Sequence, residues 1–310
     1  MSMNGSTSLA VPLAPMRRQA QAANSATFAS AAFVAVWSTG YIAGKFALAH
    51  AAAFNLLTLR FVGATLAFAM LAIVARAEWP GWRAAAHSAV VGVLSLALSF
   101  GGVYLGVEWG AEIGVAALVV GAMPLVTAAI APWFGECVSV RQWIGLAIGL
   151  AGVLLVLADR LHIGAAPPSA YLMVVLGLIG ISLGTLYQKR HASAVDPRAG
   201  LAVQHAAAAL AVLPFAMHEG LRFDGSAALA ASAGWLIIVN SVGGFGLLFL
   251  LLRRGAANRV AQLFFLIPPV TAVMSHVVLG EQFTSLKLLG FAVAAAGVFI
   301  GTRPPAARSA

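Results

Sequence analysis

Trp37, Tyr41 and Lys45 recur at every fourth position of one apolar stretch, so a helix would carry two aromatic rings and an ammonium on a single face. Such a face suits a cavity for an amphipathic solute. It equally suits a lipid-facing aromatic strip ended by a lysine that snorkels to the surface. Arg60 falls about one turn into the next apolar stretch, and a tight hairpin returns it to the same side as Lys45. The two cations either form an electropositive vestibule or are tied up locally, Arg60 by helix-end carbonyls or by Glu108 or Glu112. An arginine left unpaired at that depth costs about 3 kcal/mol. The uncharged polar groups Gln188, Gln204, Asn240 and Gln262, with the hydroxyls of Tyr104 and Tyr187, lie in or near apolar stretches. They suit a solute that needs a few hydrogen bonds in an apolar pocket, or else bond helices to one another.

Other chemistries lack their residues. Cys137 is the one cysteine, which leaves no disulfide within the chain and no zinc or iron–sulfur set. No nucleophile triad or Walker loop is present, and Gly243-Gly244-Phe245-Gly246 sits inside an apolar run where a phosphate loop has no place. All 9 acidic residues fall in loops or at helix ends, which excludes a carboxylate relay at a membrane midplane. His205 and His276 can titrate near neutral pH but read as packed or interfacial residues.

A further set reads as structural. Gly135-Glu136 and Gly280-Glu281 mark tight turns, each followed by a helix start. Ser139 can cap the following helix with Gln142 as its capping-box partner, and Thr284 can cap the next one. A carboxylate beside such a start complements the positive helix N-terminus. Pro124, Pro268 and Pro269 interrupt backbone hydrogen bonding and are candidate hinges.

The elements that must position these residues follow from composition. The chain of 310 residues is 61% hydrophobic and 9% charged, against roughly 25% charged in a soluble domain. So little charge cannot cover a water-facing surface, and the solvent must be lipid. Ten apolar stretches have spanning length, at 27–49, 55–75, 85–107, 112–134, 140–158, 169–188, 199–217, 231–252, 259–279 and 285–302. The net charge of +9 would suggest nucleic acid in a soluble protein, but here it resides in the gaps and reports topology. With the N-terminus inside, 13 of the 18 basic residues are cytoplasmic, and ten spans return the C-terminus to the same side. Met1 to Asn24 lacks the core of a signal peptide and reads as a flexible cytoplasmic tail held inside by Arg17 and Arg18.

The chain also repeats. A shift of 145 places Pro124 on Pro269, Gly135 on Gly280, Glu136 on Glu281 and Gly145 on Gly290, and a shift of 144 places Ser38, Gly40 and Lys45 on Ser182, Gly184 and Lys189. Five spans per repeat is an odd number, so the halves are inverted. The predicted fold is an all-α membrane protein of about ten transmembrane helices in two inverted five-helix repeats, at 27–158 and 169–302. An outer linker occupies 159–168, and tails occupy 1–26 and 303–310.

The stretches Trp37-Ser38-Thr39-Gly40-Tyr41 through Lys45, Leu59-Arg60-Phe61, Gly121 through Glu136 and Gln142-Trp143-Ile144-Gly145 resemble the EamA-type members of the drug/metabolite transporter superfamily. In the second half, Gly184 through Arg190 and Pro268-Pro269-Val270-Thr271 through Gly280-Glu281 carry the same resemblance. Cys137, where the family often has a basic residue, and Ala51-Ala52-Ala53 in the outer hairpin depart from it. The resemblance implies a bacterial inner-membrane exporter of amino acids, other metabolites or toxic compounds, with a small-molecule substrate and no cofactor. A membrane-embedded enzyme, a sensor and a cationic multidrug carrier are the rival classes.

Overall fold

The computed structural model describes residues 13–135, 138–162, 166–220, 223–253, 263–264 and 266–302. Glu136 and Gln262 lie outside the described residues, as do both chain ends. Among the described residues ten helical stretches follow one another: α1 Leu13–Leu48, α2 Ala53–Val74, α3 Trp82–Glu108, α4 Ile113–Phe134, α5 Val140–His162, α6 Pro168–His191, α7 Pro197–Glu219, α8 starting at Ala227, α9 Ile267–Leu279 and α10 Ser285–Thr302. Eight are long and apolar enough to cross a membrane, and α9 and α10 are shorter apolar helices. Helix α1 begins at Leu13, inside the segment read as a tail, and its apolar part is Phe28–Leu48. In lipid each backbone N–H and C=O must find its partner within the segment, which is why apolar runs of this length become helices. Large side chains point outward in a way water would not tolerate, with Val74 77% and Val277 75% exposed.

The packing carries the inverted repeat. Helices α5 and α10 form the closest pair, and α2 with α7 and α4 with α9 pair across the halves in the same self-matched way. Helix α3 packs on α6 as α8 packs on α1. Along the α5–α10 seam a Cβ placed on Gly145 would come within 2.6 Å of the Gly297 carbonyl, and one on Gly152 within 2.6 Å of the Gly290 carbonyl. Exchanging the halves maps the pair Gly145 and Gly297 onto the pair Gly290 and Gly152. Small residues let the backbones touch, which is how helices gain van der Waals contact in a solvent as apolar as themselves.

Two pairs of irregularities match as well. Helix α3 contains a π segment at Val93–Leu98, and α8 is built of Ala227–Gly234, a π segment at Trp235–Gly243 and Gly244–Arg253. Helix α4 breaks after Gly121, where Ala122 N donates to Val119 O and Val126 N to Ala122 O. Ahead of α9, Leu266 N donates to Leu263 O and Val270 N to Leu266 O. These bonds correspond at a shift of 144, so Pro124 matches Pro268 here and not Pro269, the partner expected from the ungapped shift of 145. The register moves by one residue beyond this point, where α4 ends in a 3₁₀ turn at Ala131–Phe134 while α9 stays α-helical to Leu279. Gly135 and Gly280, at φ 81° and 71°, then end the two helices in the left-handed conformation that glycine reaches without a Cβ clash.

Candidate functional site

The end of the bundle that carries residues 49–52, 109–112, 223–226 and 280–284 is laced by polar contacts, most of them between the halves. The Glu219 carboxylate accepts from Phe54 N, Asn55 N and Asn55 Nδ2, capping α2, and Glu108 accepts from Ala53 N. Glu281 accepts from Ile113 N at 2.6 Å and Gly114 N at 3.0 Å. It therefore caps α4 of the other half, whereas the sequence suggested only the helix start beside it. The reason lies next door: Glu112, which precedes α4, turns its carboxylate to Lys287 Nζ at 2.8 Å and leaves those N–H groups open. Thr284 caps α10 by accepting from Lys287 N, and Ser139 and Gln142 form the expected capping box on α5. At the surface His50 Nδ1 meets both Asp224 and Ser226. One nitrogen contacts both the acid and the hydroxyl, so these three residues do not form a catalytic relay.

Arg60 does not join this network. From α2 it reaches into the bundle and is 3% exposed. Its Nη2 donates to Asn240 Oδ1 at 2.6 Å, its Nη1 to Tyr104 Oη at 3.0 Å and its Nε to Ser241 Oγ at 3.3 Å. The guanidinium also stacks 4.3 Å from the Phe100 ring centroid. Every one of these partners is neutral. Asn240 is fixed in turn by donating from Nδ2 to the Val36 carbonyl at 3.0 Å, and its amide fills the space where Gly40 has no Cβ. In the other half Ser95, in the π segment of α3, fills the corresponding space beside Gly184. The π segment of α8 thus holds Asn240 and Ser241 against the guanidinium.

The Arg60 niche encloses about 50 Å³ and shares Trp37, Tyr41, Val120 and Ile181 with an apolar cavity of about 390 Å³. Pro124, Thr127, Phe264 and Pro268 complete the larger space, at the level where α4 and α9 are broken. Trp37 stacks edge-on against Phe245 and Phe264. Among the described residues, Arg60 is the single charged one lining either space.

Of the residues chosen from sequence, Trp37, Tyr41, Arg60, Tyr104, Asn240, Pro124 and Pro268 come together here. The others do not. Lys45 Nζ contacts the Val107 carbonyl at 3.5 Å and lines neither space, so it shares no vestibule with Arg60. Tyr187 bonds His87 near the opposite end, and Gln188 is exposed there. Gln204 is buried on α7 against Gly92 of α3, and Pro269 lines a separate apolar cavity of about 220 Å³. Phe100, Ser241, Thr127 and Phe264 were not anticipated. Ser241 had a usable signal as the neighbour of Asn240, and the others had none.

Among the described residues, ten apolar helices in two matched halves surround a central cavity, the architecture expected of a membrane transporter. The chain belongs to the EamA-like transporter family, which it matches over residues 24–158 and 168–303. A "Probable amino-acid metabolite efflux pump" of Salmonella typhimurium is 26% identical over 282 residues, covering 86% of this chain and 91% of the relative. The "Uncharacterized inner membrane transporter YedA" of Escherichia coli is 24% identical over 270 residues, covering 86% and 87%. A crystal structure at 20% identity superposes with a TM-score of 0.62 over 89% of this chain and 96% of its own, which shows the shared fold.

Proposed function

We propose that the chain is a secondary transporter that exports small amphipathic metabolites, amino acids or related compounds, across the bacterial inner membrane by alternating access, with both termini cytoplasmic. The observation that carries this reading is a buried guanidinium with only neutral partners at the head of an apolar cavity. A solute that binds there presents an anionic or strongly accepting group to Arg60 and an apolar body to Trp37, Tyr41, Phe264 and Pro268. The basic-residue bias makes the end held by Glu219, Glu281 and Lys287 periplasmic. That end is closed by contacts between the halves. The cavity lies at the helix breaks, and outward release requires those contacts to part. The efflux relative supports the substrate class and the direction. Cationic multidrug export is disfavoured because a cation would enter a space that already holds an unneutralised guanidinium.

Purified protein in liposomes, screened by counterflow with labelled amino acids, nucleosides and cationic drugs, tests this. Saturable exchange of amino acids or their relatives, lost in Arg60→Gln at equal reconstitution, is expected. Exchange of cationic drugs alone would overturn it. Reporter fusions after Ala165 and at the C-terminus should report opposite sides of the membrane.

A further inference from the structure

Resting on that reading, we infer that the preferred substrate carries a net charge of −1: a monocarboxylate with an aromatic or branched body, whose amine, if it derives from an amino acid, is acylated or absent. A guanidinium offers five N–H donors. Arg60 engages one on Nε, one on Nη1 and one on Nη2, with Ser241, Tyr104 and Asn240. One hydrogen on each terminal nitrogen remains, and a carboxylate meets such a pair bidentately.

The surroundings decide the net charge. Among the described residues, no aspartate or glutamate lines the niche or the cavity. Glu108, Glu219 and Glu281 are committed to helix N-termini, and Glu112 to Lys287. A monoanion therefore neutralises the buried charge. A zwitterion leaves that charge in place and adds a desolvated ammonium without a counter-ion. The large space next to the niche takes the body of such a molecule and offers the ammonium an apolar lining.

A matched series on the full-length protein in liposomes tests this, with protein-free vesicles as the blank. The probes are N-acetylphenylalanine and 3-phenylpropionate (−1), phenylalanine (zwitterion) and phenethylamine (+1). The −1 compounds are expected to exchange with a kcat/KM about tenfold or more above that of phenylalanine, and phenethylamine neither to exchange nor to compete. Arg60→Lys should keep this order, and Arg60→Gln should erase it. Equal or better exchange of phenylalanine overturns the charge assignment while leaving the transporter reading intact. No exchange of any member, with saturable exchange of a cation found in the wider screen, overturns both. The comparison is made on the wild-type protein, so it does not depend on a variant folding.

Discussion

Asn240 Oδ1 accepts from Arg60 Nη2 at 2.6 Å across 180 residues of sequence, and the amide is held to this task by its second bond to Val36. Asn240→Asp keeps the shape, gives up the donor to the Val36 carbonyl and places a carboxylate on the guanidinium. We expect the protein to fold, and exchange of carboxylated solutes to fall by about tenfold or more as an internal ion pair replaces the substrate. Counterflow at matched reconstitution measures this, and unchanged exchange would show that the Arg60 charge is not used.

Gly40 is the backbone position against which that amide rests. Gly40→Ala pushes the Asn240 side chain off its two hydrogen bonds and should weaken exchange several-fold with little loss of folded protein. Gly184→Ala meets Ser95 instead, which is not a hydrogen-bond partner of the guanidinium, and should leave the substrate preference unaltered. Size-exclusion profiles and counterflow on both variants give the comparison.

Lys287 is buried to 1% exposure between Glu112 at 2.8 Å and Glu281 at 3.9 Å. Lys287→Met leaves two carboxylates facing each other at the closed end. The expected loss is about 3 kcal/mol, at the low end for a broken buried pair because Glu112 retains some contact with solvent. The double variant Lys287→Met/Glu112→Gln should recover most of that loss in a thermal unfolding assay. A double variant as unstable as the single one would assign the loss to packing of the lysine stem.

The Asp224 carboxyl is pulled down from its ordinary 3.8 to about 2, first by hydrogen bonds from the Ser226 backbone and hydroxyl and then by His50. A depressed acid stabilises the fold above its unfolded pKa and loses that contribution as pH falls through the folded value. Wild type should therefore exceed Asp224→Asn in thermal stability at pH 6, with the difference closing between about pH 4 and pH 2. A difference that persists at pH 2 would mean that the carboxylate charge is not the source.

The helices were legible because lipid leaves a chain few choices. Apolar length, short gaps and basic-residue bias define them, and the capping residues Ser139 and Thr284 and the turn glycines Gly135 and Gly280 state their chemistry locally. The site was legible only in part. Trp37 and Tyr41 announce their shared face by spacing, but Lys45, on that same face, ends on a carbonyl at the helix end. Two of the partners of Arg60, Asn240 and Ser241, come from a π segment whose extra residue per turn re-aims them, and no short-range pattern marks it. Polarity alone could not separate Asn240, which faces the cavity, from Gln188, which faces the solvent.

The guanidinium comes from the first half of the chain and its principal holders, Asn240 and Ser241, from the second. At the level of Arg60 the second half has Gln204 and His205, and opposite Asn240 the first half has Ser95. A protein assembled from two copies of residues 27–158 would carry two such arginines without Asn240 and Ser241 to hold them, and one from two copies of 169–302 would carry the holders without the arginine. After the duplication that the matched seams record, the halves divided their labour, and neither can now stand in for the other.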